Sequence, residues 1–307
     1  MKDLMISLLF LALFLTQIFL GSLLILSFQK MVEARWIASI ESYLLSNLRL
    51  FVILPVLFIL LFLGRAEIYP WTHSESLRPG FPRFYFDPWF FALRNIFFFV
   101  IWGLMARRLR QKRMKTAAAP LILILVTGSI FTVDWLLSLQ PEWKSSAFPI
   151  IFLIGSLLLT HGLTLSSLRR NAKEWPLQDL NSLHFALIAV WAYLCFSQFI
   201  IIWSSNLPDE VTWYLPRIHS SWQRLPQLLI AFQFIATLLV LLFRKIKRSF
   251  CCTRLFGFTT FLWQMIFIFW NISPSVHPQG FTMSITDIAV VILLLAAWFF
   301  QQRRVLP

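Results

Sequence analysis

Four polar side chains stand inside long apolar stretches, near the same end of each: Arg94, Asp134, Gln198 and Asp287. An ionisable group at membrane depth is expensive, which makes it a functional candidate by default. Asp134 and Asp287 are the kind of carboxylate that takes and gives a proton when a charge partner moves. Arg94 and Gln198 are the kind of group that positions such a carboxylate or holds a polar head. Asp87 lies close by, and together the residues suggest a polar layer beneath one membrane face. The plainer reading is a structural Arg94–Asp134 ion pair between neighbouring helices, since pairing alone explains both charges.

A second set runs along one segment. Trp191, Cys195 and Gln198 recur at i, i+4 and i+7, and Tyr193 and Ser197 share another face. A polar-aromatic stripe can line a ligand cavity, which makes Trp191 and Tyr193 candidate cofactor contacts; Ser and Cys also serve as helix–helix glue. His161 is a candidate proton relay or a satisfied core histidine. His161 and His184 fall about 8 Å apart in depth on the expected spans, which argues against a haem held by two histidines. Cys195, Cys251 and Cys252 form no CxxC pair, so no zinc or iron–sulfur ligand set is present. No nucleotide loop and no nucleophile with a base is found. The chain carries no metal or redox centre of its own in this reading.

The elements that hold these residues follow from composition. Of 307 residues, 59% are hydrophobic and 13% charged, against about 25% charged in a soluble domain. The bilayer is therefore the expected solvent. The net charge of +14 sits in short runs at the ends of apolar segments, which is topology signal rather than a nucleic-acid face. Nine apolar stretches are expected to be helices of one transmembrane domain covering 1–307. They lie near 4–28, 45–63, 87–106, 118–139, 147–168, 182–205, 226–243, 255–271 and 284–301. The first is too long for a signal-peptide core and is expected to persist.

Lys and Arg fall unevenly on the two sides. The loops after the first, third, fifth and seventh spans, with the tail, hold eighteen; the other loops hold seven; Arg49 and Arg94 are within spans. The positive-inside rule then places the N-terminus outside and the C-terminus in the cytoplasm. The outer loops 64–86 and 206–225 are rich in aromatics, among them Tyr69, Trp71, Phe81, Tyr85, Trp213, Tyr214 and Trp222. Two readings stand: an interfacial aromatic belt, or a docking surface for an extrinsic partner.

Several runs resemble one family. Trp191-Ala192-Tyr193-Leu194-Cys195-Phe196-Ser197-Gln198-Phe199, continuing through Ile202-Trp203 and Asn206-Leu207-Pro208-Asp209-Glu210, is similar to its W-x-Y-x-x-F-S-Q-F…I-W…N-[LI]-P-[ED]-E signature. Asp134-Trp135-Leu136-Leu137-Ser138-Leu139-Gln140-Pro141-Glu142-Trp143 looks like its D-W-x-M-S-x-D-P-H-W. Gly21 through Ala34-Arg35-Trp36, and Tyr85-Phe86 through Phe90 and Arg94, match more weakly. The family is the NrfD-like quinone-binding membrane subunits, specifically the second quinone-binding subunit of Alternative Complex III, a quinol:cytochrome c oxidoreductase. The resemblance covers nearly the whole chain. It departs where the family's D-P-H-W histidine is Glu142, where a His and an Asp of its penultimate helix are Gln264 and Phe267, and in lacking one N-terminal helix of ten.

That resemblance implies a multi-pass bundle in a bacterial inner membrane, beside a paralogous membrane subunit, an extrinsic iron–sulfur subunit and haem c subunits. A terminal oxidase could take the electrons. Quinone or quinol would be the ligand, and the partners would supply all metal centres. Two other readings stand against catalysis by this subunit. One is a non-catalytic scaffold, favoured by the missing proton-path residues. The other is a small-solute transporter, which predicts paired helix breaks at mid-membrane; Pro55 is one such position, without a visible partner.

Overall fold

The computed structural model describes residues 1–32, 35–73, 83–112, 118–169, 176–205 and 207–304. Ala34, Arg78, Phe81, Arg113, Lys115, Arg170, Lys173 and Asn206, which enter the sequence reading, lie outside them. Among the described residues every regular element is helical. Eight helices are long and apolar enough to cross a membrane: α1 Lys2–Gln29, α2 Ser39–Leu63, α3 Pro88–Arg110, α4 Ala118–Leu139, α5 Phe148–Ser166, α6 Leu177–Ser205, α7 Ser221–Leu241 and α8 Phe250–Ser275. The ninth expected stretch forms α9, Ile285–Arg304. Its apolar part, Ile285–Phe300, is shorter, about 24 Å at 1.5 Å per residue. The protein is an all-α, multi-pass membrane bundle.

Local chemistry fixes the helix starts. Asp87 caps α3, its Oδ1 accepting from the Trp89 and Phe90 amides at 3.0 and 3.1 Å, with Pro88 following in the first turn where no N–H is needed. Asp87 is therefore a helix cap. Ser249 caps α8 by accepting from the Cys252 amide. Two helices are irregular. In α2 a 3-10 turn, Leu48–Val52, precedes Pro55, whose ring and missing N–H disfavour a continuous α-helix there. In α7 the stretch Leu229–Ala236 is π-helical, and the Thr237 hydroxyl donates to the Phe232 carbonyl at 2.8 Å.

The core is built around α5, buried along most of its length. Small residues bring its neighbours close. A Cβ on Gly21 of α1 would fall 2.1 Å from the Ser156 carbonyl oxygen, and one on Gly257 of α8 would fall 2.4 Å from the Ser166 amide. Membrane helices use such positions for direct backbone approach, because hydrophobicity alone does not hold them together.

Contacts sort the ends of the helices into two faces. At one, Tyr69 meets Trp135, Trp143 meets Trp213, Trp222 reaches His277, and Asp287 reaches Ser7. At the other, Asn181 bonds the Lys247 carbonyl, Arg248 bonds Gln178, and Trp298 of α9 bonds Ser166. So α9, like α1, runs from one face to the other. The first face is the aromatic one. Tyr69, Trp71, Trp213 and Trp222 are 1%, 6%, 4% and 0% exposed, so these four belong to neither a belt nor a docking surface. They are core: Trp143 and Trp213 stack with centroids 4.4 Å apart, and Trp270 meets Trp213 edge-on.

Candidate functional site

Asp134 is the penultimate residue of the α-helical part of α4 and is fully buried. Four donors converge on its carboxylate. Arg94 Nε reaches Oδ2 at 2.9 Å and Arg94 Nη2 reaches Oδ1 at 2.8 Å. The Tyr85 hydroxyl donates to Oδ1 at 2.8 Å, and Asn95 Nδ2 to Oδ2 at 3.2 Å. The expected Arg94–Asp134 pair is thus present, as a two-pronged bridge. The Arg94 guanidinium also lies 3.8 Å from the centroid of the Tyr85 ring. Burial, then the Asp134 charge, push the Tyr85 phenol above its ordinary pKa, so Tyr85 stays protonated and keeps donating at physiological pH.

The network continues to a groove. Trp135 Nε1 donates to Asn95 Oδ1 at 2.7 Å, which fixes the Asn95 amide so that its Nδ2 faces Asp134 and the Phe91 carbonyl. Asn95 and Trp135 line a cavity of about 630 Å³ between α2 and α3, whose other walls include Phe51, Pro55, Phe58, Phe62, Phe91 and Phe99. An aromatic-walled cleft lined by a few fixed polar groups suits a flat, hydroxyl-bearing ring with an apolar tail. Arg94 and Asp134 stand behind Asn95.

Asp287 and Gln198 do not join Asp134; among the described residues no hydrogen bond links the three. Asp287 forms a capping box with Ser284: its Oδ2 accepts from the Ser284 amide at 3.0 Å, and the Ser284 hydroxyl accepts from the Asp287 amide at 3.1 Å. Its Oδ1 accepts from Ser7 of α1 at 2.6 Å. This places α9 against α1, with Asp287 apart from the Arg94–Asp134 pair. Asp287→Ala should lower stability by about 1 kcal/mol, measured by thermal unfolding in detergent, while Asp287→Asn should retain most of it.

Gln198 is buried beside the Tyr214 phenol, whose pKa is raised by burial and then by the nearby Cys195, with Gln198 and Arg217 acting the other way. Arg217, 0% exposed, is held by the Trp213 and Asn271 carbonyls at 2.6 and 2.7 Å and by Ser275 at 3.0 Å. Its guanidinium lies over the Trp213 ring at 3.7 Å. Burial pulls its pKa down. This cluster ties the loop after α6 to the end of α8.

On α6 the stripe divides. Trp191 faces the core, meeting Phe267 edge-on at 4.9 Å, whereas Tyr193 is 67% exposed and points away from it. His161 and His184 correct the depth expected from sequence. Their ring centroids are 5.5 Å apart, because α6 starts at Leu177 rather than near 182 and brings His184 level with His161. Their Nε2 atoms turn to different partners, the Leu180 carbonyl at 3.0 Å and the Thr260 hydroxyl at 2.9 Å. Among the described residues no group of three or more His, Cys, Asp or Glu is placed to hold a metal ion.

Asn95, Gln17 and Arg217 are polar residues that the sequence reading does not single out as a site. Asn95 follows Arg94 directly, and adjacent helix residues normally face different ways. Here the long arginine reaches round to the same carboxylate. No protein-family model matches the chain, and no curated protein matches it either.

Proposed function

We propose that the chain is an NrfD-like membrane subunit of a quinol:electron-acceptor oxidoreductase of the Alternative Complex III kind, and that quinol docks in the groove between α2 and α3. The observation that carries this is the groove's polar lining: Asn95 is locked by Trp135 and backed by the Asp134–Arg94 pair. The ring would lie against the phenylalanines with a quinol hydroxyl donating to Asn95 Oδ1, since both Nδ2 hydrogens are committed to the Phe91 carbonyl and Asp134. The isoprenoid tail would run out between the helices into lipid. The resemblance of the Asp134–Trp143 and Trp191–Glu210 runs supports the same reading. Haem c and iron–sulfur centres would belong to partner subunits, which would carry electrons outward. The Lys and Arg bias supports an outer N-terminus, with the aromatic face outward, in a bacterial inner membrane.

A scaffold role in the same complex is the second reading. It is favoured by the saturation of Asp134, whose four donors suit a structural pair. Transport is the third: the irregular stretches Leu48–Val52 in α2 and Leu229–Ala236 in α7 supply the second break that Pro55 lacks in sequence.

The test is affinity purification of the tagged chain in mild detergent, followed by haem spectra and mass spectrometry. Co-purification of c-type haem, an iron–sulfur protein and a second multi-helix subunit is expected. A chain that emerges alone sinks the respiratory reading and moves transport forward. In the assembled complex, Asp134→Asn should abolish most quinol oxidation; full turnover in that variant would favour the scaffold.

A further inference from the structure

Gly155 of α5 presents bare backbone to three polar side chains where α1, α5, α6 and α8 meet. A Cβ placed there would find Gln264 Oε1 at 3.3 Å, Gln17 Nε2 at 3.4 Å and Trp191 Nε1 at 3.7 Å. Gln17 and Gln264 are 0% exposed and Trp191 is 4% exposed. Gln17 Nε2 donates to the Phe152 carbonyl at 3.2 Å. The remaining atoms have no hydrogen-bond partner among the described residues: Gln17 Oε1, Gln264 Oε1, Gln264 Nε2 and Trp191 Nε1.

Such atoms are costly inside a membrane bundle, where bulk water does not compensate them. Native proteins leave few buried polar groups unmet. The unmet set here is two donors, Gln264 Nε2 and Trp191 Nε1, and two acceptors, Gln17 Oε1 and Gln264 Oε1. None of the three side chains is ionisable, so a bound ion would get no counter-charge from them. The chemistry therefore selects a neutral molecule with both donor and acceptor capacity, small enough to fit beside a glycine. Water matches on each count, offering two donors and two acceptors, and buried waters in proteins commonly make about three hydrogen bonds.

We propose that Gln17, Gln264 and Trp191 form a water-binding site at Gly155, deep in the helix bundle. The added methyl of alanine at 155 would stand 3.3 to 3.7 Å from all three polar side chains, between them and the backbone. The edge of Phe267 against Trp191 closes one side with apolar surface. The site is independent of the groove between α2 and α3, shares no residue with it, and stands or falls apart from the quinol reading.

Radiolytic hydroxyl-radical labelling tests it, because radicals form at bound water even in buried places. Trp102 is the internal control: it is 0% exposed, and its Nε1 already donates to the Thr127 hydroxyl at 2.9 Å. Trp191 should be oxidised severalfold faster than Trp102 in the intact chain, and the excess should be lost in Gly155→Ala. Gln264→Leu removes two of the four partners without adding bulk near the backbone, and should also abolish the excess. It serves if the alanine variant fails to fold. Labelling of Trp191 no faster than of Trp102 would overturn the proposal and indicate direct pairing of the two glutamines. So would an excess that survives the substitution that folds.

Discussion

Replacing Asp134 by leucine should lower the unfolding free energy by about 3–5 kcal/mol, the usual penalty for removing one partner of a buried ion pair. The loss is large because of what stays behind. The Arg94 side chain is 9% exposed, and among the described residues its remaining hydrogen-bond acceptor would be the Tyr85 carbonyl at 3.1 Å. The Tyr85 hydroxyl and one Asn95 donor would lose their partner as well. Leucine at both Arg94 and Asp134 should recover much of the loss, since a buried pair and a well-packed apolar pair of similar volume are often close in stability. Thermal unfolding in detergent of the two single variants and the double variant checks this. Additive losses would mean that the pair is not coupled. Asp134→Asn should be milder, because the amide still accepts from Tyr85 but sets its own donor against Arg94 or Asn95. That gap between leucine and asparagine lets the functional test be read in folded protein.

The membrane spans are legible in the sequence because apolar runs long enough to cross a bilayer leave little else for the chain to do. The displaced start of α6 has a specific cause. Gln178, Asp179 and Asn181 break the apolar run, which puts the expected start near 182. In the helix, Asp179 sits in the first turn, where the macrodipole favours an acid, and Asn181 Nδ2 donates to the Lys247 carbonyl and the Thr253 hydroxyl. The added turn of helix brings His184 beside His161. The Arg94–Asp134 pair is readable because α3 and α4 are sequence neighbours, and intramembrane charges seek each other. Asp287 carries a signal of its own that competes with the catalytic reading: Ser284 and Asp287 have capping-box spacing, a local device that needs no catalysis. The buried loop aromatics are not readable at all. Trp143 and Trp213 stack across loops 70 positions apart, and only the tertiary fold decides whether a loop tryptophan faces lipid, water or another tryptophan. Gln17 and Gln264 look like isolated polar interruptions, because nothing in one sequence says that α1 and α8 meet at Gly155.

A methyl group at Gly21 or Gly257 should be nearly as damaging as the replacement of Asp134 by leucine. At Gly21 the new Cβ would lie 2.1 Å from the Ser156 carbonyl oxygen and 2.3 Å from Thr160 Oγ1; at Gly257 it would lie 2.4 Å from the Ser166 amide nitrogen and 2.5 Å from the Gly162 carbonyl oxygen. The clashing atoms are mainly helix backbone, which no rotamer change can move. Either α1 or α8 must therefore separate from α5, the element around which the bundle packs. Overpacking of a well-fitted core costs about 1–3 kcal/mol, and backbone clashes put Gly21→Ala and Gly257→Ala at or above the top of that range. Gly128→Ala is the contrast. Its Cβ would meet the end of the Leu153 side chain at 2.8 Å, which can rotate aside, so its loss should be small. Melting temperature and the fraction of monodisperse protein after detergent extraction would rank the three. If Gly128→Ala proved as harmful as the other two, added volume anywhere in the core would be the cause, and close backbone approach at α5 would lose its special role.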